Sequence, residues 1–218
     1  MLTLVGANLN YSSWSIRPWL ALRHADLPFR FHDVGLKTRD GWKERILGFS
    51  GAGKVPILID GASSVHESLA ICETVAELAP QKKLWPDDPK LRARGRAISC
   101  EMTSSFGALR SEMTCNLRAR SRTPTLSDAA KADVARVVDV FTASIEGCGG
   151  PFLLGEFSIA DCMYAPVASR FRTYSVALPE VAARYVEAVL GHPLFVELDA
   201  LAKEQPPIAE YDAFVIPL

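Results

Sequence analysis

The sequence changes character at one place, and that change limits the possible folds more than any other feature. Up to about residue 80, short apolar runs that suit strands alternate with runs at helical spacing, and turn residues recur between them. Beyond "APQKKLWPDDP" (residues 79–89), a stretch rich in proline and charge, every periodic segment is helical. Alternation of strand and helix belongs to an α/β unit, whereas an unbroken series of amphipathic helices belongs to a bundle. With 218 residues and 49% hydrophobic composition, the chain can bury a core for each. We therefore expect an α/β domain over 1–79, a linker over 80–89 and an all-helical domain over 90–218.

Within the first region, "LTLVG" reads as a buried strand and residues 15–25 as a helix ended by the Leu27-Pro28 step. A strand over 29–34 and a short helix over 41–49 follow. In "VPILIDGASSVHE" the Asp60-Gly61 pair stands between two strand-like runs, the strongest short-range hairpin signal. Residues 68–78 then repeat at helical spacing. The order βαβ, helix, ββα is the thioredoxin-like layout. The second region carries expected helices over 90–117, 127–146, 158–174, 179–190 and 193–203, an all-α helical bundle. Between them "RARSRT" (118–123) reads as a solvated basic loop.

Charge and cysteine usage narrow the function classes. Lysine plus arginine total 24 against 25 acidic residues, so no general field steers nucleic acid or an anionic membrane to the chain. No stretch approaches the ~18 apolar residues of a membrane span, and the first residues lack a basic leader, so we expect a cytoplasmic protein. The cysteines, Cys72, Cys100, Cys115, Cys148 and Cys162, include no CxxC pair. They are expected to be reduced core thiols, with neither disulfides nor a metal site.

Three stretches carry chemistry. In "NYSSWSIRPWLAL" (10–22) a strand gives way to a helix whose first N–H groups lack intrahelical partners and whose dipole welcomes an anion. Ser15, nearest the helical run, is the better helix cap, which leaves Ser12 and Ser13 to face a ligand. In "GKVPIL" (53–58), Pro56 leaves a gap in strand pairing that an extended peptide could fill against the main chain of Val55. In "VHESLAI" (65–71), Ser68 opens a helix and its hydroxyl and N–H suit a carboxylate, while Glu67 suits an ammonium. Ser64 and Glu67 also have capping-box spacing, so a purely structural role stays open there.

Taken together, "SSWSIRPWLAL", "GKVPIL", "HESLAI" and the later "FSIADCMYAP" resemble the cytosolic glutathione transferases, over nearly the whole chain. The serine-bearing opening looks most like the zeta and tau classes. The resemblance implies glutathione as co-substrate, a homodimer, and an enzyme that activates the glutathione thiolate and transfers it to a small apolar electrophile. It makes Ser12 the thiolate-stabilising hydroxyl with Ser13 beside it, and Val55, before a cis Pro56, the main-chain partner of the cysteinyl unit. Glu67 and Ser68 would hold the γ-glutamyl end, Lys54 would approach the glycyl end, and Ser158 with Asp161 would form the family's structural capping box. Tyr11 is a rival for the catalytic hydroxyl. His66 is expected to pack at a strand end.

Trp14 stands where the zeta class has a cysteine, which counts against a maleylacetoacetate isomerase, and the absence of any cysteine in the turn counts against thiol-disulfide chemistry. A glutathione-dependent cis-trans isomerase and a non-catalytic binding module are the alternatives. For the electrophile pocket, Met102, Phe106, Leu109 and Met113 form one apolar stripe on the first long helix; it suits either core packing or, joined by Tyr11, a pocket wall. Arg110, Arg170 and Arg172 are each within reach of an acidic substrate, although a solvated surface position is the expectation for any one of them.

Overall fold

In the computed structural model, which describes residues 1–36 and 40–216, the first half is a four-stranded sheet flanked by helices. Positions 37–39 and 217–218 of the expected domains lie outside the described residues. The elements are β1 (Leu2–Gly6), α1 (Ser13–His24), β2 (Phe29–Asp33), α2 (Trp42–Leu47), β3 (Ile57–Asp60), β4 (Ser63–His66) and α3 (Ser68–Leu78). The sheet order is β2-β1-β3-β4: β1 and β2 are parallel, with Leu2 opposite Phe29, and β3 is antiparallel to both β1 and β4. The Asp60-Gly61 turn closes the β3–β4 hairpin, with Gly61 at φ +58.

The second half is all helical: α4 (Pro89–Ser104), α5 (Gly107–Glu112), α6 (Asp128–Cys148), α7 (Ile159–Thr173), α8 (Glu180–Gly191), α9 (Pro193–Glu204) and the short α10 (Ala209–Asp212). Among the described residues, no helix is long and apolar enough to cross a membrane. α7 is buried along nearly its whole length and packs against α1, α4 and α8, so one apolar cluster runs from Leu4 and Leu20 through to Phe171. At its start the Asp161 carboxylate accepts from Ser158 N at 2.9 Å and Ser158 Oγ at 3.0 Å, with Leu153 N also donating to it at 3.0 Å. This is the expected capping box, and here it ties the preceding loop to the helix as well.

Four expectations change. The helix expected over 90–117 is broken: Ser105 is extended and Phe106 sits at φ +63, a left-handed conformation that no α-helix continues through. The apolar stripe survives the break, because Met102, Phe106, Leu109 and Met113 are all buried in the core. The Ser64–Glu67 capping box does not form, since Ser64 lies in β4 and Glu67 is itself the cap of α3. The "RARSRT" loop is not merely solvated: Ser121 is fully buried, and Arg118 donates to Gln205 O at 2.8 Å. Of the cysteines, Cys72, Cys115 and Cys162 are buried, but Cys100 is exposed on α4.

Candidate functional site

β1 ends at Gly6 because the chain must turn there under the start of α1. A Cβ on Gly6 would stand 2.6 Å from the Phe31 ring and 3.0 Å from Ser15 Oγ, so only glycine lets the helix come this close to the sheet. That approach fixes Ser15: its Oγ accepts from Ala7 N at 3.0 Å and lies 2.8 Å from Ser12 Oγ. The capping role expected of Ser15 thereby passes to Ser12, which still faces the cavity. Ser12 caps α1, accepting weakly from Ser15 N at 3.4 Å, while Ser15 is a buried link between the strand end and Ser12.

This turn opens onto a cavity of about 860 Å³ between the two halves of the molecule. Its α/β wall carries Tyr11, Ser12 and Ser13 from the β1–α1 turn, Lys54, Val55 and Pro56 from the start of β3, and Glu67 and Ser68 from the β4–α3 junction. The Val55-Pro56 peptide is cis. Glu67 adopts φ +77, a strained backbone for a residue with a side chain, and its carboxylate accepts from Leu69 N at 3.0 Å and Ser68 Oγ at 2.9 Å. His66 is exposed and lines the cavity instead of packing at the strand end.

The helical wall differs from expectation. Met102, Phe106 and Leu109 do not line the cavity; helical spacing turns them into the core and presents Thr103, Ser104 and Arg110 instead. Arg110 and Arg170 both belong to this wall, and neither forms an ion pair among the described residues. Arg170, only 3% exposed, donates to Met113 O at 2.8 Å and Ser13 Oγ at 3.3 Å; burial first, then nearby like charge for Arg110, pulls both guanidinium pKa values down. Arg172, by contrast, pairs with Asp199 at 2.6 Å away from the cavity.

Trp14, another wall residue, has two guanidinium groups over its ring, Arg17 at 4.2 Å from the ring centre and Arg110 at 5.1 Å. Arg17 is wholly buried, and none of its side-chain nitrogens finds a hydrogen-bond partner among the described residues. Desolvation, with Arg170 and Arg110 adding to it, lowers its pKa to about 9, so it is still cationic at neutral pH. Arg17 has no ion-pair partner among the described residues, and the cavity-wall Glu67 carboxylate offsets its charge only through space, so the cavity beside it favours a further negative charge.

Tyr11 is committed elsewhere. Its hydroxyl donates to Asp212 Oδ1 at 2.7 Å and accepts from Arg118 Nη2 at 2.6 Å and Ile208 N at 3.1 Å. Burial and the Asp212 carboxylate raise its pKa. Sequence reasoning missed Ser15 as a link, Trp14 as a wall residue, and Tyr211, which lines the cavity from α10. Arg170, a candidate for an acidic substrate by sequence, is on the wall but buried rather than solvated, within the pattern of "IADCMYAPVASRF".

Residues 11–78 match the model described as glutathione S-transferase, N-terminal domain, and residues 118–206 the model described as glutathione S-transferase, C-terminal domain. A "Probable maleylacetoacetate isomerase" of Caenorhabditis elegans is 28% identical over 188 residues, covering 84% of this chain and 86% of the relative. "Glutathione S-transferase 1" of Dianthus caryophyllus is 25% identical over 165 residues, covering 75% and 74%. Among solved structures, a glutathione transferase homologue from Burkholderia with bound glutathione superposes with a TM-score of 0.72 at 21% identity, covering 93% of this chain and 98% of that one.

Proposed function

The chain belongs to the glutathione S-transferase family, both of whose domain models it matches, and on that premise we propose that Ser12 holds the sulfur of glutathione as a thiolate for transfer to a small apolar electrophile. The observation that carries this reading is the hydroxyl pair at the start of α1. Ser15 Oγ already accepts from the Ala7 amide, so in the proposed state its one proton goes to Ser12 Oγ. The Ser12 proton is then left to point into the cavity, where a sulfur anion accepts it.

The energetics close without a catalytic base. A thiol of pKa about 8.5 is only a few per cent ionised at neutrality, and lowering that by about two units takes roughly 2.7 kcal/mol. A hydrogen bond to a charged group contributes about 1.5–3 kcal/mol and a helix N-terminus about 0.3–1. The buried Arg17 charge acts in the same direction. The thiolate attacks the electrophilic carbon and forms the sulfur–carbon bond; in a substitution the leaving group departs with its bonding pair toward the open side of the cavity, and in an addition the displaced π pair stays on the substrate and takes a proton from solvent.

The rest of the tripeptide is assigned to the same wall. Its cysteinyl main chain pairs with Val55, its γ-glutamyl ammonium and carboxylate meet Glu67 and Ser68, and its glycyl carboxylate meets Lys54. In this reading residues 1–79 bind glutathione, 90–218 supply the electrophile wall, and the enzyme works as a cytoplasmic homodimer. Titrating the protein with glutathione near neutrality should produce the ultraviolet rise of an ionised thiol. Ser12→Ala should still be retained on glutathione-agarose yet lose that rise. No rise in the parent protein would end the transferase reading.

A second reading is favoured by Arg110 and Arg170, cavity-wall cations without carboxylate partners among the described residues. They suit an acidic substrate, and the C. elegans relative points to maleylacetoacetate. Trp14 in place of the zeta-class cysteine weighs against it. Conversion of maleylacetoacetate with no net loss of glutathione would select the isomerase.

A further inference from the structure

The family match ends at residue 206, yet Gln205 to Ile216 form a strap tied down at both ends. At its near end Asn8 Nδ2 donates to Pro206 O at 3.2 Å and Arg118 Nη1 to Gln205 O at 2.8 Å. At its far end Ile216 N donates to Ser121 Oγ at 2.8 Å, and Ile216 O accepts from Ser121 Oγ at 2.9 Å. Between these ties stands Asp212. Its Oδ1 accepts from Tyr11 at 2.7 Å and from Asn116 Nδ2 at 2.8 Å, and its Oδ2 lies 3.5 Å from Arg118 Nη2.

Asn116 is itself held by Asn10, whose Nδ2 donates to its Oδ1 at 2.9 Å. The latch therefore joins the β1–α1 turn, the 116–121 loop and the strap around one carboxylate. The strap brings two apolar groups inward: Ile208 and Tyr211 complete a small cluster with Ala7, Tyr11, Leu36 and Val55, and Tyr211 lies 5.2 Å from the Tyr11 ring. Tyr211 is also the strap residue that lines the cavity. So few buried apolar contacts make the polar latch the main restraint on a segment that would otherwise open locally.

We propose that the strap 205–216, latched at Asp212, is the roof of the electrophile chamber, and that Tyr211 on it is a specificity-determining residue for the group carried on sulfur. The role assigned to Tyr211 rests on the transferase reading; the latch does not. Tyr11 on this account is a positioning residue, its proton committed to Asp212.

The test uses the full-length chain and two measurements. Hydrogen exchange over 205–216 is compared between parent and Asp212→Ala; loss of a carboxylate acceptor should speed exchange there about tenfold or more, with the sheet amides unchanged. Calorimetry then compares glutathione with S-hexylglutathione, whose alkyl chain should reach the roof. Asp212→Ala and Tyr211→Ala should each weaken the conjugate about tenfold while glutathione affinity stays within about twofold. Unchanged exchange in Asp212→Ala overturns the latch, and unchanged conjugate affinity in Tyr211→Ala overturns the specificity role. Should Asp212→Ala fail to fold, Asp212→Asn, which keeps an acceptor for Tyr11 but loses the charge facing Arg118, should show a smaller acceleration. A parent that binds neither ligand defeats the transferase reading and with it the role of Tyr211, while the exchange arm still decides the latch.

Discussion

At the scale of single residues, the arginine beneath the cavity is the most demanding feature. Arg17 is fully buried, charged at neutral pH and without a hydrogen-bond partner among the described residues. Burying an ion without a partner costs several kcal/mol, partly offset here by the Trp14 face. Its folded pKa, about 9, is well below the ordinary value for arginine, so the folded state binds that proton more weakly. The cost is fully present below pH 9 and is relieved as the pH rises from there toward the ordinary arginine range. Arg17→Met should therefore leave the unliganded protein at least as stable in urea as the parent, and should shrink the stabilisation conferred by glutathione. A variant that unfolds earlier than the parent yet gains as much from glutathione would contradict this role.

At the scale of elements, the Ser158–Asp161 box shows a local signal and a tertiary consequence in the same residue. Spacing alone revealed the cap, but the donation from Leu153 and complete burial come from the surrounding fold. Burial pushes the Asp161 carboxyl up to about 6 from an ordinary 3.8, against the hydrogen bonds that favour its charged form. Between those two values the native state holds a proton that the unfolded chain has released. This group's contribution to stability thus falls as the pH rises through that window and is level above it. Asp161→Asn should destabilise the protein at both pH 4.5 and pH 7, and the loss in unfolding free energy from urea titration should be larger at pH 4.5 by about 1–3 kcal/mol. An equal loss at both pH values would remove the titration from the account. The α4–α5 break is the opposite case: "SSFG" carries weak turn chemistry, and only the burial of Phe106 at positive φ makes the break necessary.

For the whole molecule, the two halves share one core, in which residues of β1 and α1 join those of α7. All four tryptophans lie at or before residue 85, whereas most of the helix belongs to the second half. Trp14, Trp19 and Trp42 belong to the first half while Trp85 packs on α4, so tryptophan fluorescence is weighted toward the first half and far-ultraviolet circular dichroism toward the second, and a shared core predicts that their urea transitions coincide. Separate midpoints would mean that the interface between the halves is weaker than its burial implies.

The sequence by itself determined the element order of the first half, the hairpin at Asp60-Gly61, the helical character of the second half and most of the residues gathered on the α/β wall of the cavity. Each of these depends on signals within a few residues of one another: period, turn type, cap spacing. Only the tertiary structure decided which serine caps and which one links, why Arg170 is buried, and that the Tyr11 hydroxyl belongs to a carboxylate 201 positions away. A side chain's role is set by the partner that satisfies it, and when that partner is brought in from a distant element no local pattern records the pairing.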